Sequence, residues 1–218
     1  MSKSKKIAVV LSGCGVFDGS EIHEASLSLY FIEHHGAEYQ VFAPDINQHH
    51  VINHLTGKEM NETRNVLVES ARIARGKIKS LTQFKAADFD GLLFPGGFGA
   101  AKNLSDWAFK GSACKVLPEV ESCIREMVHA GKPIAALCIS PVLLAKILGN
   151  VELTIGDEIP TIKEIESLGT KHFITSHGDV IIDKKNKLIT SPCYNVNSTI
   201  DQVGNGIDKA VKAMLEMA

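Results

Sequence analysis

The sequence predicts an α/β protein built on a mostly parallel sheet. Short apolar runs of strand length alternate with longer segments in which apolar residues recur at helical spacing, the pattern of repeated strand–helix–strand units. Glycine-rich or proline-containing turns follow several of the apolar runs, as expected where a buried strand leads into a helix. Because 218 residues suffice for one such domain, we expect a single domain with an insertion at about residues 45–84.

The predicted elements follow in chain order. Strands are expected at residues 7–11, 39–43, 91–94 and 133–137, followed by a hairpin that joins 179–183 to 187–190. Helices are expected at 21–35, 118–129, 140–148 and 196–216, with a helical run at 66–78 inside the insertion. Asp18 and Glu21 have the spacing of a capping box for the first helix, and Gly36 stands where that helix would end.

Composition favours a protein that acts on small molecules or on other proteins. There are 23 Lys and Arg residues against 25 Asp and Glu, a net charge of −2, so no basic excess attracts nucleic acid or an anionic membrane. The apolar run at 7–11 is shorter than the roughly 7–15 residues of a signal peptide, and no segment reaches the roughly 20 residues of a bilayer span. These features predict a soluble, cytoplasmic protein.

Cofactor and metal motifs are missing from the sequence. The five cysteines are odd in number and include no CxxC pair, which indicates reduced thiols and argues against a disulfide framework or a zinc site. His50 and His54 have i, i+4 spacing, but no third ligand is fixed nearby. Neither GxGxxG nor GxxxxGK[ST] occurs. We therefore expect no cofactor and no metal.

One cysteine stands where a buried strand meets a helix. Cys138 follows an apolar strand, and the small residues Ala136 and Ser140 flank it at two positions on either side, as a sharp nucleophile elbow demands. A cysteine at the start of a helix is expected to have a lowered pKa, because the helix dipole and free N–H groups stabilise thiolate. The alternative is that Cys138 is simply a small buried apolar residue, as many free cysteines are.

Two further elements lie at the carboxyl ends of predicted strands. Gly96 and Gly97 let the backbone approach a ligand closely, and the N–H groups of Gly97 and Ile139 are the expected pair for a developing oxyanion. Glu21 and Glu24 share one face at the start of the first helix. Taken alone, these features also fit an ordinary turn and compensation of the helix dipole.

These motifs in this order resemble the PfpI-like branch of the class I glutamine-amidotransferase-like superfamily, which includes the Parkinsonism-associated deglycase. The resemblance covers nearly the whole chain and includes FPGGFG at 94–99, AALCISP at 135–141 and the hairpin and helix at 179–211. It implies a flavodoxin-like three-layer sandwich with helices on both faces of the sheet. It also implies Cys138 as nucleophile, a glutamate of the first helix as proton carrier, and a homodimer. Counting back from Gly36 selects Glu24 for that role, with Glu21 one turn earlier as the second choice.

The resemblance implies a glutathione-independent glyoxalase, a lyase that converts glyoxal or methylglyoxal to the 2-hydroxy acid through a cysteine hemithioacetal. Sequence does not separate this activity from protein deglycation. A non-catalytic redox sensor or regulatory protein is the alternative from another class, because an accessible low-pKa thiol oxidises readily. Glutamine hydrolysis is disfavoured because the position near 154–157, where triad members carry a histidine, has none. His177 is a weak substitute, more typical of a solvated loop.

Overall fold

The structure, a computed structural model, describes residues 4–218. Its strands in chain order are β1 (Lys6–Val10), β2 (Glu38–Ala43), β3 (Ile52–Asn53), β4 (Lys58–Glu59), β5 (Ile78–Ser80), β6 (Gly91–Phe94), β7 (Ile134–Leu137), β8 (Glu152–Leu153), β9 (Lys171–His172), β10 (Ile181–Asp183) and β11 (Leu188–Ser191). Its α-helices are α1 (Ile22–His34), α2 (Val66–Ile73), α3 (Phe98–Lys102), α4 (Trp107–Lys110), α5 (Pro118–His129), α6 (Pro141–Leu148), α7 (Ile159–Glu166) and α8 (Ile200–Met217).

The central sheet has seven strands in the order β10-β11-β7-β6-β1-β2-β5. Every neighbouring pair is parallel except the β10–β11 hairpin. The predicted α/β class, with a mostly parallel flavodoxin-like sheet and a C-terminal hairpin, is confirmed. Since β2 and β6 flank β1 on opposite sides, the chain leaves β1 in both directions, and ligands of open α/β sheets bind at such a switch point.

Two apolar cores lie on the two faces of this sheet. In β1, Ala8 and Val10 pack into one core, whereas Ile7 and Val9 pack into the other, because successive strand residues point to opposite faces. The first core is covered mainly by α5, α6 and α7, and the second by α1 and α8. Strands covered on both faces must be apolar throughout, which explains the continuous apolar runs of the sequence.

The insertion contributes a strand to the central sheet, which the sequence does not predict. The helical run expected at 66–78 ends with α2, and Arg75 and Gly76 then turn the chain with φ values of 52° and 77°. The following β5 pairs in parallel with β2 at the sheet edge. With only three residues, β5 is too short for its alternation to stand out against the preceding helix.

The first helix is capped differently from the prediction. Glu21 is itself the N-cap of α1, and its side chain accepts a hydrogen bond from the Glu24 N–H at 2.7 Å. Asp18 instead accepts from the Ile52 N–H at 2.7 Å and so ties the insertion to the first loop. The predicted Asp18–Glu21 capping box is therefore wrong, because the helix begins one residue after Glu21.

The last helix begins later than predicted. Thr199 caps α8 in a reciprocal capping box with Gln202, so the residues from 196 onward remain in a turn until the cap is reached. This later start leaves the segment 192–199 free to approach the sheet end. None of the helices described for residues 4–218 combines the length and the apolar character that crossing a bilayer requires.

Candidate active site

The site lies where the carboxyl ends of β6, β7 and β11 meet the start of α1. These strands are parallel and adjacent or nearly so in the sheet order, so the residues that follow them converge at one edge. Gly96 follows β6, Cys138 follows β7, and Asn195 lies in the segment after β11. Glu24 reaches the same place from the first turn of α1.

Cys138 forms the expected sharp turn between β7 and α6. Its φ is +57°, an unusual value for a residue other than glycine, and α6 begins three residues later. Ser140, fully buried, donates to the Pro95 carbonyl oxygen at 2.6 Å and so ties this turn to the loop after β6. The strain of the positive φ is held by the surrounding packing, as in a nucleophile elbow.

The two glycines after β6 fit against this cysteine. A Cβ at Gly96 would lie 2.3 Å from Cys138 Cβ and 2.6 Å from Glu24 Oε2, so only glycine lets thiol and carboxyl meet. Gly97 has a φ of +97°, and its N–H, like that of Ile139, points at the Cys138 sulfur. The predicted pair of amide donors thus flanks the thiol.

Glu24, and not Glu21, contacts the thiol. The Glu24 side chain is completely buried, and its carboxyl group lies beside the Cys138 thiol against Gly96. Its Oε2 accepts from the Gly96 N–H at 2.8 Å, and its Oε1 accepts from the Tyr194 N–H at 3.3 Å. The Glu21 side chain caps the helix one turn earlier, and the Glu21 N–H donates to the Gly96 carbonyl oxygen at 2.9 Å.

Burial keeps protons on both groups. Removal from water, with the charge of Glu21 nearby, raises the pKa of Glu24 to about 8. Burial and the Glu24 charge also raise the pKa of Cys138 above its ordinary value, against the lowering effect of the Gly97 and Ile139 amides. The prediction of a lowered cysteine pKa is therefore wrong, because desolvation outweighs the helix terminus.

Asn195 is the site residue that the sequence analysis missed. Its Oδ1 accepts a hydrogen bond from the Cys138 thiol at 3.1 Å, and its Nδ2 donates to the Ile155 carbonyl oxygen at 3.1 Å. Since a carbonyl oxygen accepts and does not donate, the second bond fixes which end of the amide faces the sulfur. The available signal was a polar residue just after a buried strand. It was missed because Asn195 falls between the predicted hairpin, which ends at 190, and the predicted last helix, which starts at 196, and no role was assigned to that connection.

A cavity of about 520 Å³ opens in front of Cys138. Its walls are largely apolar and include the aromatic side chains Phe98, Trp107, Phe109 and Tyr194. Cys138 itself is 7% exposed, so the sulfur is reached through this cavity.

The histidines singled out in the sequence lie elsewhere. His177 is exposed and bonds Ser198 Oγ at 3.0 Å. His54 accepts from the Phe17 N–H at 3.2 Å, and His50 faces Glu59 at 3.9 Å. Within residues 4–218, no histidine lines the cavity, and no cluster of three or more His, Cys, Asp or Glu side chains is arranged to hold a metal ion.

Fold and site together define an α/β protein with a cysteine at a nucleophile elbow and a buried carboxyl group beside it. The family model of the DJ-1/PfpI family matches residues 14–194. The chain belongs to the DJ-1/PfpI family, which confirms the resemblance inferred from its motifs.

Several known proteins are similar to this chain over nearly all of its length. The chain is 48% identical to the Homo sapiens protein named glutamine amidotransferase-like class 1 domain-containing protein 3, mitochondrial, over 97% of this chain and 83% of that protein. It is 47% identical to the Rattus norvegicus ES1 protein homolog, mitochondrial, over 97% and 84%. A crystal structure of an isoprenoid biosynthesis protein with an amidotransferase-like domain from Ehrlichia chaffeensis has a TM-score of 0.92 at 36% identity, covering 98% of this chain and 99% of the other.

The glyoxalase III of Candida albicans is a more distant structural neighbour. Its TM-score is 0.64 at 13% identity, over 98% of this chain and 97% of the other, a likeness of fold. The relatives named as mitochondrial proteins contradict the cytoplasmic location predicted from the sequence. That prediction was wrong because it was made from the apparent lack of a signal peptide and of a membrane span. The homodimer and the single domain stay predictions.

Proposed function

We propose that this protein is a glutathione-independent glyoxalase, which converts a small α-oxoaldehyde such as glyoxal to the 2-hydroxy acid. One observation carries the proposal: the Cys138 thiol lies beside the buried Glu24 carboxyl group and close to the N–H groups of Gly97 and Ile139. Nucleophile, proton carrier and oxyanion donors are the three parts that an internal oxidation–reduction of an aldehyde requires.

The reactive form of the pair is the one that has lost a single proton. Below about pH 8 the Glu24 carboxyl is protonated, and the thiol keeps its own proton. Loss of one proton leaves an anionic pair in which the remaining proton moves between Glu24 and the Cys138 sulfur, so that thiolate faces a carboxylic acid. The population of this form, and with it kcat/KM, rises with pH towards the pKa of the pair.

The steps balance without an external oxidant. The Cys138 thiolate attacks the aldehyde carbon and forms the C–S bond, while the Gly97 and Ile139 N–H groups stabilise the oxyanion. Glu24 protonates that oxygen, removes the hydrogen of the same carbon as a proton, and delivers this proton to the neighbouring carbonyl carbon. The hydroxyl proton of the first carbon passes to the oxygen of the second carbon. One carbon is oxidised to a thioester and the other reduced to an alcohol. Water then hydrolyses the thioester, releases the hydroxy acid and restores the thiolate.

Two further observations support this choice. A protein of the same fold is named glyoxalase III. Glutamine hydrolysis needs a base to activate the cysteine, and the described cavity wall offers the amide of Asn195 in place of a histidine. The redox-sensor alternative depends on the same Cys138 thiolate, and formation of the hydroxy acid distinguishes the two.

The test measures products directly. Purified protein is given glyoxal without glutathione, and glycolate is followed by NMR, with Cys138→Ser as the inactive control and Cys123→Ser as the matched control. Cys123 is a buried cysteine of α5, outside the cavity. We expect glycolate from the native protein and from Cys123→Ser only. Equal rates with the native protein and Cys138→Ser would refute the proposal.

A further inference from the structure

The reaction cavity is much larger than glyoxal. A volume of about 520 Å³ falls in the roughly 300–1,000 Å³ range of pockets that enclose drug-sized ligands. Glyoxal, with two carbons and two oxygens, would fill a small part of it next to the sulfur. Most of the cavity therefore contacts a part of the substrate that does not react.

The walls indicate what that part is made of. Phe98, Trp107 and Phe109 line the cavity, and Phe98 and Phe109 are 48% and 46% exposed. Partly exposed aromatic rings around a concave space bind apolar and cationic groups most favourably. An apolar group removes apolar area from water, and a cationic group faces the negative surfaces of the rings. The non-reacting part of the substrate is thus apolar and of about the size of an aromatic ring.

The charged side chains that line the cavity are all negative. Glu158 and Glu164, both exposed, line the cavity, and the lining residues include no lysine, arginine or histidine. Glu164 Oε2 accepts from the Ser112 N–H at 2.7 Å, and Glu158 Oε2 accepts from the Thr161 N–H at 2.8 Å. These bonds hold both carboxylates in place without cancelling their charge.

Nearby cations are engaged outside the cavity wall. Lys146 donates to the Ser112 carbonyl oxygen at 2.8 Å, and Lys102 donates to the Phe17 carbonyl oxygen at 3.0 Å. Lys102 also covers the ring of Phe98 at 5.2 Å. A substrate in the cavity meets fixed negative charge at the entrance, which attracts a cation and repels an anion.

The geometry points to an α-oxoaldehyde with an apolar, ring-sized arm that ends in a cationic group as the substrate class of this cavity. This substrate class rests on the proposed function, because the aldehyde end is placed at Cys138. The aromatic walls hold the arm, and Glu158 and Glu164 hold the cationic end.

The test compares phenylglyoxals that differ only in the para substituent. We expect kcat/KM for phenylglyoxal to exceed that for glyoxal roughly 30-fold, from burial of the ring. The trimethylammonio derivative should exceed the carboxy derivative about tenfold, as two partly exposed carboxylates allow. Faster turnover of glyoxal than of phenylglyoxal, or preference for the carboxy derivative, would overturn the inference.

Variants separate the two contributions. Glutamine at either position still accepts the N–H bond, so the double variant Glu158→Gln/Glu164→Gln should fold and lose the charge preference. Glu166→Gln, an exposed position of α7 outside the cavity, is the matched control and should keep the charge preference. Phe109→Ala should reduce turnover of phenylglyoxal more than turnover of glyoxal. An unchanged charge preference in the double variant contradicts the assignment.

Binding distinguishes failure of the substrate class from failure of the activity. The matching para-substituted acetophenones carry the same arms without an aldehyde, and their Kd values are measured by ligand-observed NMR. Tighter binding of the trimethylammonio ketone than of the carboxy ketone, lost in Glu158→Gln/Glu164→Gln, supports the cavity assignment even if no aldehyde is turned over. Turnover of glyoxal without any such selectivity refutes the assignment and leaves the glyoxalase proposal intact.

Discussion

Two neighbouring parallel strands are each followed by a cysteine with a positive φ, yet only one of these cysteines faces the cavity. Cys138 follows β7 with a φ of +57°, and Cys193 lies just after β11 with a φ of +46°. We refer to residues 138–140 as the Cys138 turn and to 192–199 as the Cys193 turn. Both sulfurs are buried beside Glu24, and burial raises the pKa of both.

The difference lies in what faces each sulfur. The Cys138 sulfur lines the cavity and is approached by the Gly97 and Ile139 N–H groups. The Cys193 sulfur does not line the cavity, and the Cys138 N–H on that side donates to the Ser191 carbonyl oxygen at 2.9 Å. A strained backbone and a buried thiol are therefore insufficient for a nucleophile, which also needs free donors and an open side.

The largest expected effect sets the two cysteines against each other. Cys138→Ser should lower kcat/KM with glyoxal by roughly 10⁴-fold or more, the scale of losing a nucleophile. Cys193→Ser should stay within about threefold of the native rate, since serine is close in size to cysteine and Cys193 does not line the cavity. Steady-state kinetics measure both. A comparable loss in a folded Cys193→Ser variant would show that the chemistry is shared between the turns.

Sequence reasoning located the Cys138 turn for a local reason. The strand, the small neighbours and the helix start all lie within a few residues, so spacing alone placed Cys138 and Ile139 between β7 and α6. The family resemblance, counted in helical turns back from Gly36, favoured Glu24 over Glu21. At the Cys193 turn the site residue Asn195 comes into contact only through the pairing of β11 with β7, a relation between distant segments that local spacing does not contain.

The pKa of the nucleophile was mispredicted for a related reason. A helix N-terminus is visible in sequence, but complete burial and the closeness of Glu24 are properties of the folded site. Where the two effects oppose, desolvation is the larger for a fully buried group.

The second prediction concerns Glu24, which both turns contact. Glu24→Gln keeps the size and an acceptor for the Gly96 N–H but carries no transferable proton, so kcat/KM should fall roughly 10²–10⁴-fold. The same variant should lose the rise of kcat/KM with pH towards about 8. Glu21→Gln preserves the N-cap acceptor but removes a charge that raises the Glu24 pKa, so it should remain active with its pH profile moved to lower pH. A pH profile unchanged in Glu24→Gln would assign the titration to another group.

The third prediction concerns the effect of the buried Glu24 on the pH dependence of the free energy of unfolding. Its pKa is about 8 in the folded protein against an ordinary value of 4.5, so between these values the unfolded chain loses a proton that the folded protein keeps. Rising pH then favours unfolding, and this contribution to stability is fully present below about pH 4.5 and lost as pH rises through about 8. The free energy of unfolding should fall by a few kcal/mol relative to Glu24→Gln, at about 1.4 kcal/mol per pKa unit.

Urea titrations of the native protein and of Glu24→Gln at several pH values between 5 and 8 check this sign. The difference between the two curves isolates Glu24, because other titrating groups contribute equally to both. A difference that is flat, or that grows in favour of the native protein at high pH, would show that the carboxyl is ionised in the folded site.

The smallest expected effect tests the contact between the two turns. Asn195→Asp places a carboxylate 3.1 Å from the Cys138 sulfur in the position of the amide oxygen, and this added negative charge should raise the pKa of the thiol further. The pH profile of kcat/KM should move up by about one unit, a loss of roughly tenfold at pH 7. Asn197→Asp, an exposed change of the same charge in the same turn, should leave the profile in place. Equal shifts in both variants would mean that the Cys193 turn acts on the thiol through its overall charge. A shift confined to Asn195→Asp means that the turn sets the protonation of the nucleophile through one hydrogen bond.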